Sequence, residues 1–475
     1  MTPLNKTKIV ATLGPASDSA EVIEQMIHKG VDVFRVNFSH VDYDRVRKTI
    51  ETIQQINTKL NTHVAILADL QGPKLRIGEV ENGLIELIPG NEIIITTEKC
   101  IGTAERLFIT YPQFPKDVKV GEKILVEDGK FQLEVIETNL TTEVRARILY
   151  GGKLASKKGV NLPNTKISLP CLTEKDLFDL EFALSCNVNW IGLSFVRNAA
   201  DIIELRHIIT NHGRRTRIVA KIEKPEAILD LDNILKETDA VMVARGDLGV
   251  EIPFEQVPMI QKEIVRKCLD ACKPVIIATQ MMESMITNIQ PTRAEVSDVA
   301  NGVLDGADAV MLSGETSVGA HPVKVIEAMQ KIIAEVEAGG YKYNRTRPAI
   351  EKNSDRFITE SICFSAAQLT QATGTKAIVT MTHSGFTAFK LSGYRPNATI
   401  YMFTSNQAIL DMMNLVWGVR GFYYDKNIST DHTIADIKHI LKTEGWLTEG
   451  EYIINIASIP LSEKGKTNML KISTI

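Results

Sequence analysis

The chain has 475 residues, of which 44% are hydrophobic and 24% charged, and its formal net charge at pH 7 is −4. This length predicts two to four domains, and the composition is typical of a globular protein. The small negative charge does not favour binding to nucleic acid or to a membrane surface, and no apolar run is long enough to span a bilayer.

The N-terminal residues lack the apolar core of a signal peptide. Six cysteines are scattered along the chain, and only Cys268 and Cys272 are close enough to share a helix face. Because no second pair would complete a zinc site, we expect reduced, buried thiols. Such thiols are typical of a cytoplasmic protein.

Three predicted strands open the chain, at 7–13, 31–38 and 64–70, with helices from a cap at Asp18 to about residue 29 and over roughly 43–59. Near the end of the second strand, Arg35, Asn37 and Ser39 alternate, so an extended chain would place them on one face. Because a buried strand rarely carries three polar side chains on one face without a ligand, we expect a binding site here.

The pattern changes between residues 72 and 168, where no long helical periodicity is present. Short β-rich runs occupy 83–88, 92–97, 123–126, 131–138 and 143–148. Asp128-Gly129 is typical of a hairpin turn. We expect an inserted all-β domain, either a small barrel or a sandwich.

Strands and helices alternate again from Thr173, whose T-E-K-D sequence is typical of a helix N-cap. Strands are predicted at 190–195, 217–222, 240–245, 274–279 and 309–312. With the first three they make eight strand–helix units, which predicts an α/β fold of the (β/α)8 TIM-barrel type. The predicted domains are a barrel (1–71 and 169–340), an inserted β lid (72–168) and a C-terminal α/β domain (341–475).

The C-terminal domain follows a linker predicted at 345–355. It should contain a helix at 355–372 and strands near 376–381, 399–403, 419–423, 452–457 and 469–473. The loop from Thr382 to Thr387 opens a helix, and its hydroxyls and Gly385 suit a phosphate. An ordinary helix cap would explain this loop equally well.

Polar side chains collect where the predicted barrel strands end, which is where TIM barrels bind their ligands. Glu223 and Asp247 follow adjacent strands and could hold one Mg²⁺. Lys221 would point the same way as Glu223, and its ammonium suits a developing oxyanion or a moving phosphoryl group. Gly246 would let the backbone approach a ligand. The alternative is a structural rim of ion pairs, Lys221 with Glu223 and Arg245 with Asp247.

Several stretches, in this order and over the whole chain, resemble the pyruvate kinase family: KTKIVATLGPAS, FRVNFSH, DLQGPKLRIG, SKKGVNLP, AKIEKPEA, VMVARGDLGVEIP, ATQMMESM and PTRAEVSDVANGVLDGADAVMLSGET. The resemblance implies a barrel with a β lid and a C-terminal regulatory domain. It also implies phosphoryl transfer from phosphoenolpyruvate to ADP, giving pyruvate and ATP through an enolate, with Mg²⁺, or Mn²⁺ in its place, as the divalent cation.

The resemblance also implies roles for individual residues. Lys221, Thr279 and Arg35 match catalytic residues that contact the phosphoryl group or the enolate. Gly246, Asp247 and Thr279 match contacts to the substrate carboxylate, and Glu223 and Asp247 match Mg²⁺ ligands. The family's nucleotide contacts fall on Asn37, His40, Arg76 and Lys158.

One departure from many relatives concerns a monovalent cation. Relatives that need K⁺ hold it with residues matching Asn37, Ser39 and Asp69 and with a backbone oxygen next door, at Leu70. They carry Thr-Lys-Gly-Pro-Glu where this chain has Leu70-Gln71-Gly72-Pro73-Lys74. We expect the Lys74 ammonium to replace K⁺, so that K⁺ is not required, as in the branch that is mainly bacterial.

The resemblance further implies a homotetramer and a phosphorylated allosteric effector, either a sugar phosphate or AMP. Its expected contacts are Thr382, Ser384, Gly385, Thr387 and Lys466. Two other functions stay open at this point. One is a different Mg²⁺-dependent barrel enzyme that uses phosphoenolpyruvate, which would need neither lid nor nucleotide. The other is a catalytically silent metabolite sensor, which would be expected to have lost Lys221 or its neighbours.

Overall fold

The computed structural model describes residues 5–163, 165–345, 355–426, 429–459 and 467–475, without the side chain of His40. The chain begins with β1 (Lys8–Thr12), α1 (Ala20–His28), β2 (Val33–Asn37), α2 (Tyr43–Leu60) and β3 (Ala65–Asp69). Two predictions in this part, the cap of α1 and the orientation of Ser39, are wrong. The side chain of Ser19 caps α1, whereas Asp18 pairs with Arg45. Ser39 lies in a 3₁₀ turn after β2, so it does not share the strand face of Arg35.

The lid consists of short strands and one turn of helix. These are β4 (Leu75–Arg76), β5 (Leu84–Leu87), β6 (Glu92–Thr96), β7 (Arg106–Phe108), α3 (Phe114–Asp117), β8 (Lys123–Val126), β9 (Phe131–Thr138), β10 (Glu143–Tyr150), β11 (Gly152–Ala155) and β12 (Gly159–Asn161). The main sheet has the order β4-β12-β8-β9-β10-β6-β7, and β5 pairs with β11. The predicted turn at Asp128-Gly129 joins the antiparallel strands β8 and β9.

The two edge strands of the main lid sheet hydrogen-bond to each other. The backbone N–H of Gly78 donates to the carbonyl of Phe108 at 2.9 Å, and that of Thr110 donates to the carbonyl of Arg76 at 2.9 Å. The sheet therefore curls until its edges meet, as the strands of a small barrel do.

The second part of the barrel contains α4 (Glu174–Ser185), β13 (Trp190–Leu193), α5 (Ala199–Asn211), β14 (Arg217–Ile222), α6 (Pro225–Leu229), α7 (Leu231–Glu237), β15 (Ala240–Ala244), α8 (Arg245–Glu251), α9 (Val257–Ala271), β16 (Val275–Ala278), α10 (Arg293–Asp305), β17 (Ala309–Leu312), α11 (Gly314–Ser317) and α12 (Pro322–Gly339). The eight barrel strands close in the order β1-β17-β16-β15-β14-β13-β3-β2, with every pairing parallel. The (β/α)8 prediction is confirmed, and Thr173 caps α4 as expected, in a capping box with Asp176.

The C-terminal domain contains α13 (Phe357–Thr373), β18 (Ala377–Met381), α14 (Phe386–Gly393), β19 (Thr399–Thr404), α15 (Gln407–Leu410), β20 (Val419–Tyr423), α16 (Thr430–Thr443), β21 (Tyr452–Ala457) and β22 (Met469–Thr474). Its sheet has the order β20-β19-β18-β21-β22, and only the last pairing is antiparallel. The predicted α/β domain is confirmed. Most of the predicted linker, residues 346–354, lies outside the described residues.

The C-terminal domain packs against the N-terminal end of the barrel. Apolar side chains inside the barrel form one continuous core with side chains of this domain. Trp190 Nε1 donates to the carbonyl of Met412 at 3.2 Å. The buried Arg395 pairs with Asp308 at 2.9 Å and donates to the carbonyl of Gly306 at 2.8 Å. This packing leaves the opposite end of the barrel, where the polar residues lie, for a ligand.

None of the described helices combines the length and the apolar character needed to cross a membrane.

Candidate active site

A row of buried charges crosses the C-terminal end of the barrel. Arg35 Nε donates to Asp69 Oδ2 at 2.6 Å, and Arg35 Nη1 donates to Thr12 Oγ1 at 3.0 Å. Lys221 Nζ lies 3.2 Å from Asp69 Oδ1 and 2.9 Å from Glu223 Oε1. These residues come from the ends of four strands, so closing the barrel brings together side chains that are far apart in sequence.

The charges in this row stabilise one another against burial. Burial lowers the pKa of the Lys221 ammonium, but the carboxylates of Asp69 and Glu223 outweigh it and raise that pKa above its usual value. Burial likewise opposes ionisation of Asp69, but Lys221 and Arg35 hold its pKa below the usual value. Burial raises the pKa of Glu223 to about 6, against the attraction of Lys221 and with a further contribution from the negative charge of Asp247.

Ser194, the first residue after β13, is a direct partner of Lys221. Lys221 Nζ donates to Ser194 Oγ at 2.7 Å, and Ser194 Oγ donates to the carbonyl of Leu70 at 2.7 Å. The backbone N–H of Phe195 donates to Glu223 Oε2 at 2.7 Å. Phe195 has a φ of 56°, an uncommon conformation for an aromatic residue. The loop after β13 therefore orients both Lys221 and Glu223.

Asp247 differs from the other charged residues at this end of the barrel. Its half-buried carboxylate has no hydrogen bond or ion pair with any described residue. Arg245 pairs instead with Asp298, at 2.7 Å through both guanidinium nitrogens. The structural alternative is thus right for Lys221 and Glu223 but wrong for Arg245 and Asp247. The Arg245–Asp298 pair was missed because Asp298 lies on a helix, away from any strand end.

Thr279 follows β16 in a strained backbone conformation. Thr279 and Gln280 have φ values of 70° and 55°, which non-glycine residues adopt mainly where the surrounding structure enforces them. The hydroxyl of Thr279 accepts a hydrogen bond from the backbone N–H of Gly246 at 2.7 Å. Gly246 and Thr279 were both predicted to contact the substrate carboxylate. In this structure the N–H of Gly246 donates instead to the hydroxyl of Thr279.

A narrow cleft separates the lid from the mouth of the barrel. Its walls include Lys74, Asp128 and Asn161 on the lid side and Lys224 and Asp247 on the barrel side. Asp247 thus reaches from the buried charges into a space that both domains share.

Lys74 lines this cleft, whose walls do not include Asn37, Ser39 or Asp69. It is exposed, its stem passes 3.6 Å from the position of a side chain at Gly159, and it forms no ion pair with a described residue. Asn37 Oδ1 accepts from the backbone N–H of Ser39 at 3.1 Å. Asp69 is occupied by Arg35 and Lys221, as described above.

Two of the predicted nucleotide residues lie close together on the lid, since Arg76 on β4 is the register partner of Gly159 and Lys158 directly precedes Gly159. Arg76 Nη1 donates to the carbonyl of Lys157 at 3.1 Å, and Lys158 Nζ pairs with Glu127 at 2.9 Å. Both cations are therefore held within the lid. The side chain of His40 lies outside the described residues.

The predicted effector loop precedes α14. Gly385 has a φ of 81°, and its N–H donates to Thr382 Oγ1 at 3.0 Å. Ser384 is exposed, whereas Thr387 is buried and its hydroxyl lies 3.3 Å from that of Thr467. Thr382 and Ser384 are thus accessible to a ligand in a way that Thr387 is not. Lys466 lies outside the described residues.

The donor set at the barrel mouth suits a hard divalent cation. The described residues contain no group of three or more metal-binding side chains. Magnesium, however, is typically bound by one or two carboxylates together with substrate oxygens and water. Glu223 and Asp247 supply two carboxylates close enough for the charge of one to raise the pKa of the other. A cation between them would relieve this repulsion.

Comparisons with known proteins identify both parts of the chain. Residues 4–326 match the family model "Pyruvate kinase, barrel domain", and residues 360–473 match "Pyruvate kinase, alpha/beta domain". The chain is 41% identical over 473 residues to the pyruvate kinase of Staphylococcus aureus strain MRSA252, covering 99% of this chain and 81% of the relative. The same figures hold for Staphylococcus aureus strain bovine RF122 / ET3-1. A crystal structure of a pyruvate kinase from Cryptosporidium parvum superposes with a TM-score of 0.91 at 34% identity, covering 99% of this chain and 96% of that one.

Proposed function

The chain belongs to the pyruvate kinase family, whose members transfer a phosphoryl group from phosphoenolpyruvate to ADP, and on this premise we propose that it does so with Mg²⁺ held by Glu223 and Asp247. The observation that carries the proposal is the free carboxylate of Asp247 beside Glu223, next to a charged and buried Lys221. Bound Mg²⁺ would neutralise charge on the phosphoryl oxygens and orient them.

The residues of the chain then divide the remaining work. Arg35 and Lys221 contact the phosphoryl group, and the Lys221 ammonium stabilises the enolate oxygen as the phosphoryl group leaves. The backbone N–H groups of Gly246 and Asp247 and the hydroxyl of Thr279 hold the substrate carboxylate, which requires the Gly246–Thr279 hydrogen bond to rearrange. Thr279 also lies on the path by which a proton reaches the enolate.

We assign the nucleotide to the lid and its neighbours: Asn37, His40, Arg76 and Lys158. Closure of the lid over the mouth of the barrel would exclude water, which protects the enolate and ATP from side reactions. A silent sensor is disfavoured because Lys221, Glu223, Asp247 and Thr279 are all present.

The test is a lactate-dehydrogenase-coupled assay with phosphoenolpyruvate and ADP. We expect turnover with Mg²⁺ and none in excess EDTA. Lys221→Met should lower kcat by a factor of roughly 10² to 10³, the usual loss when a group that stabilises developing charge is removed. Lys236→Met, which removes an exposed lysine from α7, serves as the control. Wild-type protein that forms no pyruvate would refute the proposal.

The proposal includes K⁺ independence. It is supported by the free Lys74 ammonium in the cleft that Asp247 also lines. Turnover should be comparable in Tris and in potassium buffers. A strict requirement for K⁺ would discard the role of Lys74 and leave the reaction itself untouched.

We also propose a cytoplasmic homotetramer activated by a sugar phosphate or AMP bound at Thr382, Ser384, Gly385, Thr387 and Lys466. The exposed Ser384 on a loop that opens a helix supports this site. Ser384→Ala should remove activation while basal turnover persists, and the neighbouring exposed Ser405→Ala should keep activation. Activation that survives in Ser384→Ala would place the effector elsewhere.

A further inference from the structure

A single side chain ties the lid sheet to the barrel. Asn161 Nδ2, at the end of β12, donates to Glu251 Oε1 at 2.9 Å. Among the described residues, no other hydrogen bond or ion pair joins lid residues 75–161 directly to the barrel. The connecting segments at either end of the lid supply its covalent attachment, and Arg197 Nη1 of the barrel donates to the carbonyl of Ile167 in one of them at 3.1 Å.

The buried carboxylate of Glu251 needs the hydrogen bond from Asn161 because it has few other donors. It is 5% exposed, and its Oε1 also accepts from the ammonium of Lys224, 7% exposed, at 2.8 Å. Its Oε2 has no partner among the described residues. Both donors therefore act on one oxygen of the carboxylate, and a buried carboxylate that loses one of only two charge-assisted hydrogen bonds is poorly compensated.

The position of Glu251 connects the lid to the residues proposed to act on the substrate. Glu251 is the last residue of α8, and the same helix carries Gly246 and Asp247 in its first turn. Lys224 directly follows Glu223 at the end of β14. A movement of Asn161 with the lid would therefore shift both proposed Mg²⁺ ligands, Asp247 through α8 and Glu223 through Lys224.

We propose that Asn161 and Glu251 are positioning residues, and that their hydrogen bond latches the lid over the barrel mouth. The latch holds the nucleotide contacts of the lid at a fixed distance from the substrate contacts on α8. This inference rests on the proposed function for its kinetic consequences, but the latch itself is a property of the fold.

Asn161→Ala removes the donor and leaves the Lys224–Glu251 pair in place. We expect the KM for ADP to rise on the order of tenfold, about the effect of losing one charge-assisted hydrogen bond, because Arg76 and Lys158 lie on the lid. The KM for phosphoenolpyruvate, bound by the barrel, should change less than about twofold. Asn91→Ala is the matched control, since Asn91 is an exposed lid asparagine whose side chain has no hydrogen bond with a described residue.

A loss of kcat with both KM values unchanged would mean that Asn161 only supports folding, and would overturn the latch. Glu251→Ala should reproduce the effect on the KM for ADP. The Asn161→Ala/Glu251→Ala double variant should be no worse than Glu251→Ala alone, because both changes break the same contact. Additive effects would also overturn the proposal.

A second measurement does not depend on turnover. Spin labels at Cys100, a half-exposed native thiol on the lid, and at Glu204→Cys on the exposed face of α5 report the distance from lid to barrel. In Asn161→Ala this distance should lengthen or its distribution broaden, and in Asn91→Ala it should not. An unchanged distance in an active enzyme defeats the latch, whereas a changed distance in a protein that forms no pyruvate defeats only the proposed function.

Discussion

The charge of Glu223 is opposed by burial and by Asp247, and it is supported by Lys221 and by the backbone N–H of Phe195. Burial and Asp247 raise its pKa to about 6, while Lys221 acts in the other direction. At neutral pH the group is ionised, so the protein holds a buried carboxylate that a divalent cation could stabilise. The buried charge lowers the free energy of unfolding by an amount that depends on pH.

This loss of stability can be measured in the absence of metal. The pKa rises from 4.5 in the unfolded chain to about 6 in the fold. Below pH 4.5 the group is protonated in both states, and as the pH rises through 6 the unfolded state has already released its proton. The contribution of Glu223 to stability therefore falls by about 2 kcal/mol between these limits.

In EDTA, the free energy of unfolding of the wild type minus that of Glu223→Gln should fall by about 1.5 kcal/mol between pH 4.5 and pH 7, because the unfolded group is already half ionised at pH 4.5. The exposed Glu174→Gln gives the baseline for a glutamate-to-glutamine change. A difference that grows with pH would mean that attraction by Lys221 prevails over burial.

Residue types and spacing were enough to place the charged residues at the mouth of the barrel, and not enough to predict the side chains that they contact. Lys221, Glu223 and Asp247 could be placed because strands and their ends are visible in the sequence. The pairs Arg245–Asp298 and Lys221–Ser194 depend on side-chain directions at the rim, where Arg245 could reach several carboxylates. Sequence spacing does not decide among these contacts.

At the scale of elements, Asp176 joins the first turn of α4 to the segment that leads into the lid. Its Oδ2 accepts from the backbone N–H of Thr173 at 2.9 Å, and its Oδ1 accepts from that of Gly72 at 3.0 Å. Gly72 has a φ of 70°, and a side chain there would meet the ring of Phe195 at 2.7 Å. One buried carboxylate thus fixes a helix and the start of the lid together.

Asp176→Ala should lower the free energy of unfolding by about 2 to 4 kcal/mol, since it removes a helix cap and leaves a buried N–H without its acceptor. The measurement is chemical denaturation, with Glu174→Ala in the same helical turn as the control. A loss no larger than in that control would show that water or a neighbouring group replaces the carboxylate.

The elements themselves were largely predictable, because the period-2 and helical patterns of the barrel and the C-terminal domain are regular. The lid was less so. Its strands β4, β7, β11 and β12 have only two to four residues and are defined by pairing with distant partners, as Arg76 is with Gly159. Short strands carry too little periodicity to be recognised alone.

At the scale of the whole molecule, the barrel and the C-terminal domain share an ion pair that is almost completely buried. Arg395 is 1% exposed and Asp308 is 3% exposed. Arg395→Ala should lower the free energy of unfolding by about 3 to 5 kcal/mol, because Asp308 would remain buried without its cation. Arg266→Ala, which breaks an exposed pair on α9, should cost less than about 1 kcal/mol. Equal effects in urea titrations of the two variants would contradict the burial argument.

The order in which the barrel is assembled has a consequence for synthesis. Its first strand pairs on one side with β17, where Lys8 meets Ala309, and the whole lid is inserted between β3 and its partner β13. At a translation rate of about 5 to 20 residues per second, the roughly 300 residues between β1 and β17 take on the order of 15 to 60 seconds to make. For that time one edge of the apolar strand β1 has no native partner, so the emerging chain should depend on chaperones more than the finished enzyme does.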